Sequence, residues 1–117
     1  KALQQEYHDA LSSMQGRDIL VIGDMVADIY LDGRISRISR EAPVLCYFKQ
    51  KTRAEQAGEK VVAGGAANVV NNIATLGGKV HAVGLVGRDK SADGLRAILA
   101  KNGADVRGLI ADDSRPT

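Results

Sequence analysis

The stretch Gly64-Gly65-Ala66-Ala67-Asn68-Val69-Val70, running on through Ile73 and Leu76 to Gly77-Gly78 and then Val80 to Val86, decides the fold class. Val69, Val70, Ile73 and Leu76 recur at helical spacing, and the glycine pair after them supplies a stop. The period then changes, because Val80 to Val86 is an apolar run of strand length. The same alternation follows downstream. Ser91 is placed to cap a helix through Leu95, Ile98 and Leu99 to Gly103, and Val106 to Ile110 reads as the next strand. Helices alternating with short strands predict an α/β fold, with βαβ units on a parallel sheet and helices flanking it.

Upstream, Ile19-Leu20-Val21-Ile22 ends at Gly23 and predicts a strand buried on both faces. Before it, the spacing of Leu3, Tyr7, Leu11 and Met14 marks an amphipathic helix over residues 1–14, stopped by Gly16. Residues 29–62 have another texture. They are rich in charge, contain Pro43, and alternate briefly over Val44-Leu45-Cys46-Tyr47-Phe48, which predicts strands with one covered face. Lys49 to Lys60 is polar throughout and reads as a solvated loop. The expectation is a small β insertion between the first strand and the first major helix.

A length of 117 residues supports one domain, and 44% hydrophobic residues suit a globular chain rather than a disordered one. Sixteen Lys and Arg against 14 Asp and Glu leave no electrostatic case for a nucleic-acid or membrane-surface partner. With 3% aromatic residues and no Trp, platforms for stacking single-stranded bases are missing too. The apolar run Ile19 to Ile22 is far short of a membrane span. The single cysteine, Cys46, has no partner for an internal disulfide, which suits a reducing cytoplasm. Lys1 at one end and Ser114-Arg115-Pro116-Thr117 at the other are what a piece of a longer chain would show.

Two constellations carry candidate chemistry. Gly23-Asp24-Met25-Val26-Ala27-Asp28 follows the first strand, and open α/β sheets bind ligands beyond the carboxyl ends of their strands. A carboxylate accepts hydrogen bonds only, so Asp24 and Asp28 suit sugar hydroxyls; equally, Asp24 could cap a turn and Asp28 face solvent. Gly64-Gly65 opens a helix whose free amides and dipole receive oxygen-rich ligands, with Asn68 adding a donor and an acceptor. Taken alone, that pair also fits a tight packing turn. The dinucleotide fingerprint and the Gly-Lys-Ser/Thr phosphate loop are both absent from the sequence. His8 and His81 are isolated, Cys46 reads as a packing residue, and His81 reads as a satisfied, partly buried strand histidine.

Together these residues resemble the amino-terminal part of a ribokinase-like (PfkB) carbohydrate kinase. Gly64-Gly65, Asn68, Gly77 and Gly87 keep the spacing of that family's first signature; Val70 departs from it, where a small residue is usual. Ser36-Arg37-Ile38-Ser39-Arg40-Glu41-Ala42-Pro43-Val44 is similar to the lid strand of the branch acting on heptose 7-phosphate, with Arg40 in place of a proline. The resemblance runs from about Asp18 to Thr117.

It implies a kinase that moves the ATP γ-phosphoryl group, with Mg²⁺, to O1 of heptose 7-phosphate, on the route to ADP-heptose and lipopolysaccharide. Asp28 would bind sugar hydroxyls, Gly64 and Gly65 would let the sugar lie against the backbone, and Asn68 and Asp24 would add hydrogen bonds. Arg37 or Arg88 would meet the substrate phosphate. Residues 29–62 would form a lid and homodimer clasp. The family's catalytic base lies in a Gly-x-Gly-Asp segment that these residues do not contain, so no catalytic residue, no metal ligand and no ATP site are expected here, and no phosphotransfer by this piece alone. A fructokinase or ribokinase, or a non-catalytic carbohydrate-binding or dimerisation module, is the alternative.

Overall fold

A change of hydrophobic period at Gly77-Gly78 becomes a change of element in the computed structural model, which describes residues 1–31, 33–49 and 59–117. In chain order these are α1 (Ala2–Met14), β1 (Asp18–Ile22), β2 (Met25–Leu31), β3 (Gly33–Ile38), β4 (Leu45–Lys49), β5 (Glu59–Gly64), α2 (Gly65–Thr75), β6 (Lys79–Val86), α3 (Lys90–Lys101) and β7 (Asp105–Ala111). They form two units, one of residues Lys1–Ala27 with Ala63–Thr117, the other of Asp28–Val62.

The first unit is the α/β part. Its sheet has the order β1-β6-β7, and both neighbouring pairs are parallel. The register sets Asp18 beside Lys79, Ile22 beside Val83, and Val86 beside Ala111. Between His81 and Val83 the β7 partner advances from Asp105 to Gly108, so β7 carries one extra residue there. One face of this sheet is the core. Val80, Ala82, Val86 and Leu109 are buried there with Ala67 and Val70 of α2 and Ala92, Leu95 and Leu99 of α3. Each fully buried Leu or Val contributes roughly 1.5–3 kcal/mol.

The opposite face is bare in this unit. Leu20 and Ile22 are 60% and 71% exposed, and Leu85 and Ile110 are exposed with them. The expectation of a β1 buried on both faces is therefore corrected. Ile19 and Val21 turn toward the helices, and nothing among the described residues covers the alternate side chains. A second correction concerns α2, whose covered residues are Ala67 and Val70, with Ile73 and Ala74 half-buried against them. Val69 and Leu76 turn outward. The third moves the start of α3 from Ser91 to Lys90. The cap is Asp89, whose carboxylate accepts a hydrogen bond from the Ala92 amide at 2.8 Å, and Ser91 lies inside the helix.

Helix α1 has the predicted extent, but none of its residues is buried. After it Gly16 takes φ 69°, and its amide donates to the Gly77 carbonyl at 2.8 Å, which fixes where the chain enters β1.

The second unit is the β insertion. β3 and β4 pair antiparallel, from Gly33 beside Lys49 to Ile38 beside Leu45, with a register shift between Ile35 and Arg37. β2 pairs with β5. Ile35, Ile38, Val44 and Leu45 are exposed, and Cys46 is a free, half-buried thiol. Most of the loop expected over 49–60 lies outside the described residues. Its ends are strand, since Lys49 closes β4 and Glu59-Lys60 begin β5. Among the described residues no helix is long and apolar enough to cross a membrane.

Candidate functional site

Beyond the carboxyl end of β1 the chain turns through Gly23 and Asp24. The Gly23 amide donates to the Val83 carbonyl at 3.1 Å, which carries the β1–β6 ladder one residue further. A Cβ on Gly84 would stand 2.5 Å from the Gly23 carbonyl oxygen, so the bend can lie this close only over a glycine. The Asp24 carbonyl then accepts a hydrogen bond from the Ala66 amide at 2.9 Å. Met25, buried, makes an isolated antiparallel bridge with Gly65.

That places the bend against the first turn of α2. Gly65 has φ 52°, and a Cβ there would lie 2.8 Å from the Asp24 carbonyl oxygen, so both conformation and space demand glycine. No side chain caps α2, and its first turn carries no acidic residue, so its positive end is left without a charged partner from its own turn. Asn68 is exposed on that turn, and the Asp24 side chain is exposed on the bend. The structure thus brings Asp24, Gly64, Gly65 and Asn68 together. Asp28 on β2 and Arg37 on β3, both exposed, belong to the other unit.

A further cluster lies beyond the carboxyl ends of β6 and β7. The Asp112 amide donates to the Val86 carbonyl at 2.8 Å and turns the chain back. The Gly87 amide then donates to Thr117 Oγ1 at 2.7 Å, and the Thr117 amide donates to Asp89 Oδ2 at 2.9 Å. Asp89 therefore caps α3 with one oxygen and holds the returning chain with the other. The Thr117 amide first, and the Ala92 amide next, keep its carboxyl below the usual carboxylate range. Arg88, a candidate for a substrate phosphate, is paired with Asp113. A shallow concavity of about 510 Å³ is lined by Arg88, Asp89, Asp113, Ser114, Arg115 and Pro116. Sequence reasoning passed over Asp89; its spacing of three residues before Ala92 was the available signal.

Among the described residues no group of three or more His, Cys, Asp or Glu side chains could hold a metal ion.

Comparison with known proteins bears on this arrangement. The pattern of the pfkB family carbohydrate kinase matches residues 17–117. The chain is 43% identical over 99 residues to the bifunctional protein HldE of Desulfatibacillum aliphaticivorans, covering 85% of this chain and 19% of that protein. It is 41% identical over 110 residues to the bifunctional protein HldE of Bradyrhizobium diazoefficiens, covering 93% and 21%. The chain thus spans about a fifth of the length of these relatives. Among solved structures, fructokinase from Xylella fastidiosa superposes with a TM-score of 0.59 at 25% identity, over 86% of this chain and 28% of that one. Aminoimidazole riboside kinase from Salmonella enterica gives 0.57 at 25%, over 86% and 27%. With that family pattern matched over residues 17–117, the chain belongs to the pfkB family of carbohydrate kinases.

Proposed function

We propose that this chain is the sugar-side portion of an ATP-dependent kinase that phosphorylates heptose 7-phosphate at O1, on the way to ADP-heptose and lipopolysaccharide. The observation that carries the reading is the start of α2, which no side chain caps and where the exposed Gly65 is held against the Asp24 bend, a helix end suited to an oxygen-rich ligand. The similarity of Ser36 to Val44 to the heptose branch, and the HldE relatives at about 40% identity, support the choice of sugar.

Phosphoryl transfer rests on positioning and charge stabilisation, and this chain supplies positioning. Asp28 accepts hydrogen bonds from sugar hydroxyls, Gly64 and Gly65 admit the sugar ring to the backbone, and Asn68 and Asp24 fix its orientation. Arg37 meets the substrate phosphate. ATP, Mg²⁺ and the catalytic base are assigned to the remainder of the longer protein. The insertion serves as lid and as homodimer clasp, and the enzyme works in the cytoplasm.

The second reading, a fructokinase, draws on the likeness to the Xylella fastidiosa enzyme. Incubating the whole protein with Mg-ATP and heptose 7-phosphate, the unphosphorylated heptose, fructose or ribose separates the two. ADP release confined to the 7-phosphate is expected. Equal turnover of fructose would overturn the choice of sugar.

A further inference from the structure

His81 sits on the central strand of the three-stranded sheet with a carboxylate at each ring nitrogen. Nε2 lies 3.3 Å from Asp18 Oδ1 on β1, and Nδ1 lies 3.2 Å from Asp105 Oδ2 on β7. A carboxylate only accepts, so each contact needs an N–H from the ring. A neutral imidazole has one N–H, whereas the imidazolium has two. Both contacts are hydrogen bonds at once only when the ring is charged.

We propose that His81 is a proton-operated clasp: as the imidazolium it ties β1, β6 and β7 together near their amino ends through two carboxylates, and on losing a proton it lets go of one of them.

The surroundings favour this. On β7, Arg107 binds Asp105 through Nε at 3.0 and 3.1 Å and through a terminal nitrogen at 2.6 Å, so Asp105 stays ionised and anchored. Arg107 first, and the His81 ring after it, hold the Asp105 carboxyl far below the usual carboxylate range. On β1, Asp18 is 72% exposed and rehydrates without hindrance, so it is the partner released. On β6 itself the nearest charged residue is Lys79, the register neighbour of Asp18. Helices α2 and α3 pack on the other face, against Val80 and Ala82. The hydrogen bond to Asp18, and then that to Asp105, raise the His81 pKa above its ordinary 6.5.

The sign follows from that direction. A pKa raised by folding gives stability that is full below about 6.5 and is lost as pH rises through the folded value. The clasp thus closes in acid and opens as pH rises through the raised folded value. It lies at the amino ends of the strands, away from the bend at Asp24, and so acts on the sheet rather than on ligand chemistry.

The test is a histidine NMR titration of the whole protein labelled at imidazole Cε1, with the His81 signal assigned by its loss in His81→Gln. A midpoint above 6.5 is expected, lowered by about half a unit or more in Asp18→Asn and in Asp105→Asn. The urea midpoint of the wild type should exceed that of His81→Gln at pH 6, and the gap should shrink as pH rises through the His81 midpoint. A His81 midpoint at or below 6.5 in the wild type would overturn the clasp. So would a midpoint indifferent to both asparagine changes, or a stability gap constant across pH.

Discussion

The Asp24 carbonyl and the Ala66 amide, 2.9 Å apart, join the bend after β1 to the first turn of α2. Two segments more than forty positions apart in sequence are thereby set at the carboxyl end of the sheet by a backbone bond. Gly65, between the bonded Ala66 and the N-cap Gly64, has no room for a side chain. Gly65→Ala should therefore destabilise the protein by more than the roughly 1–2 kcal/mol cost of a left-handed residue. Gly103→Ala is the control, since Gly103 has φ 91° with nothing within 4 Å of a Cβ. Urea unfolding of both variants checks this, and equal losses would mean that the Asp24 carbonyl simply moves aside.

Asp28→Asn should weaken heptose 7-phosphate binding by the whole protein about ten- to a hundredfold, the usual worth of a charge-assisted hydrogen bond. ATP affinity should stay within about twofold, because the residue is assigned to the sugar. Calorimetry with each ligand measures both, and an unchanged sugar affinity would remove Asp28 from the site.

Asp89→Ala should lower stability near neutral pH and have progressively less effect in acid. A carboxyl depressed below its ordinary 3.8 stabilises above that value, and the contribution fades as pH falls through the folded pKa. The gap between the thermal midpoints of wild type and variant, taken from pH 7 down to pH 3, should narrow at the acid end. A gap that stays constant to pH 3 would show that Asp89 acts through packing instead of its charge.

The insertion should hold two copies together. Ile35, Ile38 and Leu45 are exposed on strands of this unit, with Val44 exposed just before β4, and a surface of that kind calls for a cover. Replacing residues 34–60 of the whole protein by a short Gly-Ser linker should convert a dimer to a monomer in light scattering. A dimer of undiminished stability would place the contact elsewhere.

What the sequence disclosed depends on whether side-chain identity or backbone position carried the information. The alternation of α2, β6, α3 and β7 was legible because apolar spacing reports period directly. The bare face of β1 was not: Ile19, Leu20, Val21 and Ile22 are apolar at both parities, so no alternation tells the covered side from the open one. Val69 and Val70 posed the same problem on α2, where adjacent valines cannot both face the core. At the candidate site, Gly64 and Gly65 were legible as glycines that demand an explanation. The bond from Ala66 to Asp24 was hidden, because both partners are main-chain atoms. The ties of Asp89 to Thr117 and of His81 to Asp18 and Asp105 were hidden for another reason, since each of these partners comes from a distant part of the chain.

The strand order β1-β6-β7 also sets an order of events during folding. β1 finds its partner only when Lys79 reaches Asp18, after the chain has made the whole excursion through residues 28–62. Such a distant pairing is slow to nucleate, and the β insertion shortens the effective tether if it collapses first. Loop-closure entropy grows only with the logarithm of length, so doubling the excursion costs only about 0.6 kcal/mol. Changes in the length of the insertion are therefore felt in how fast the sheet assembles far more than in how firmly it holds.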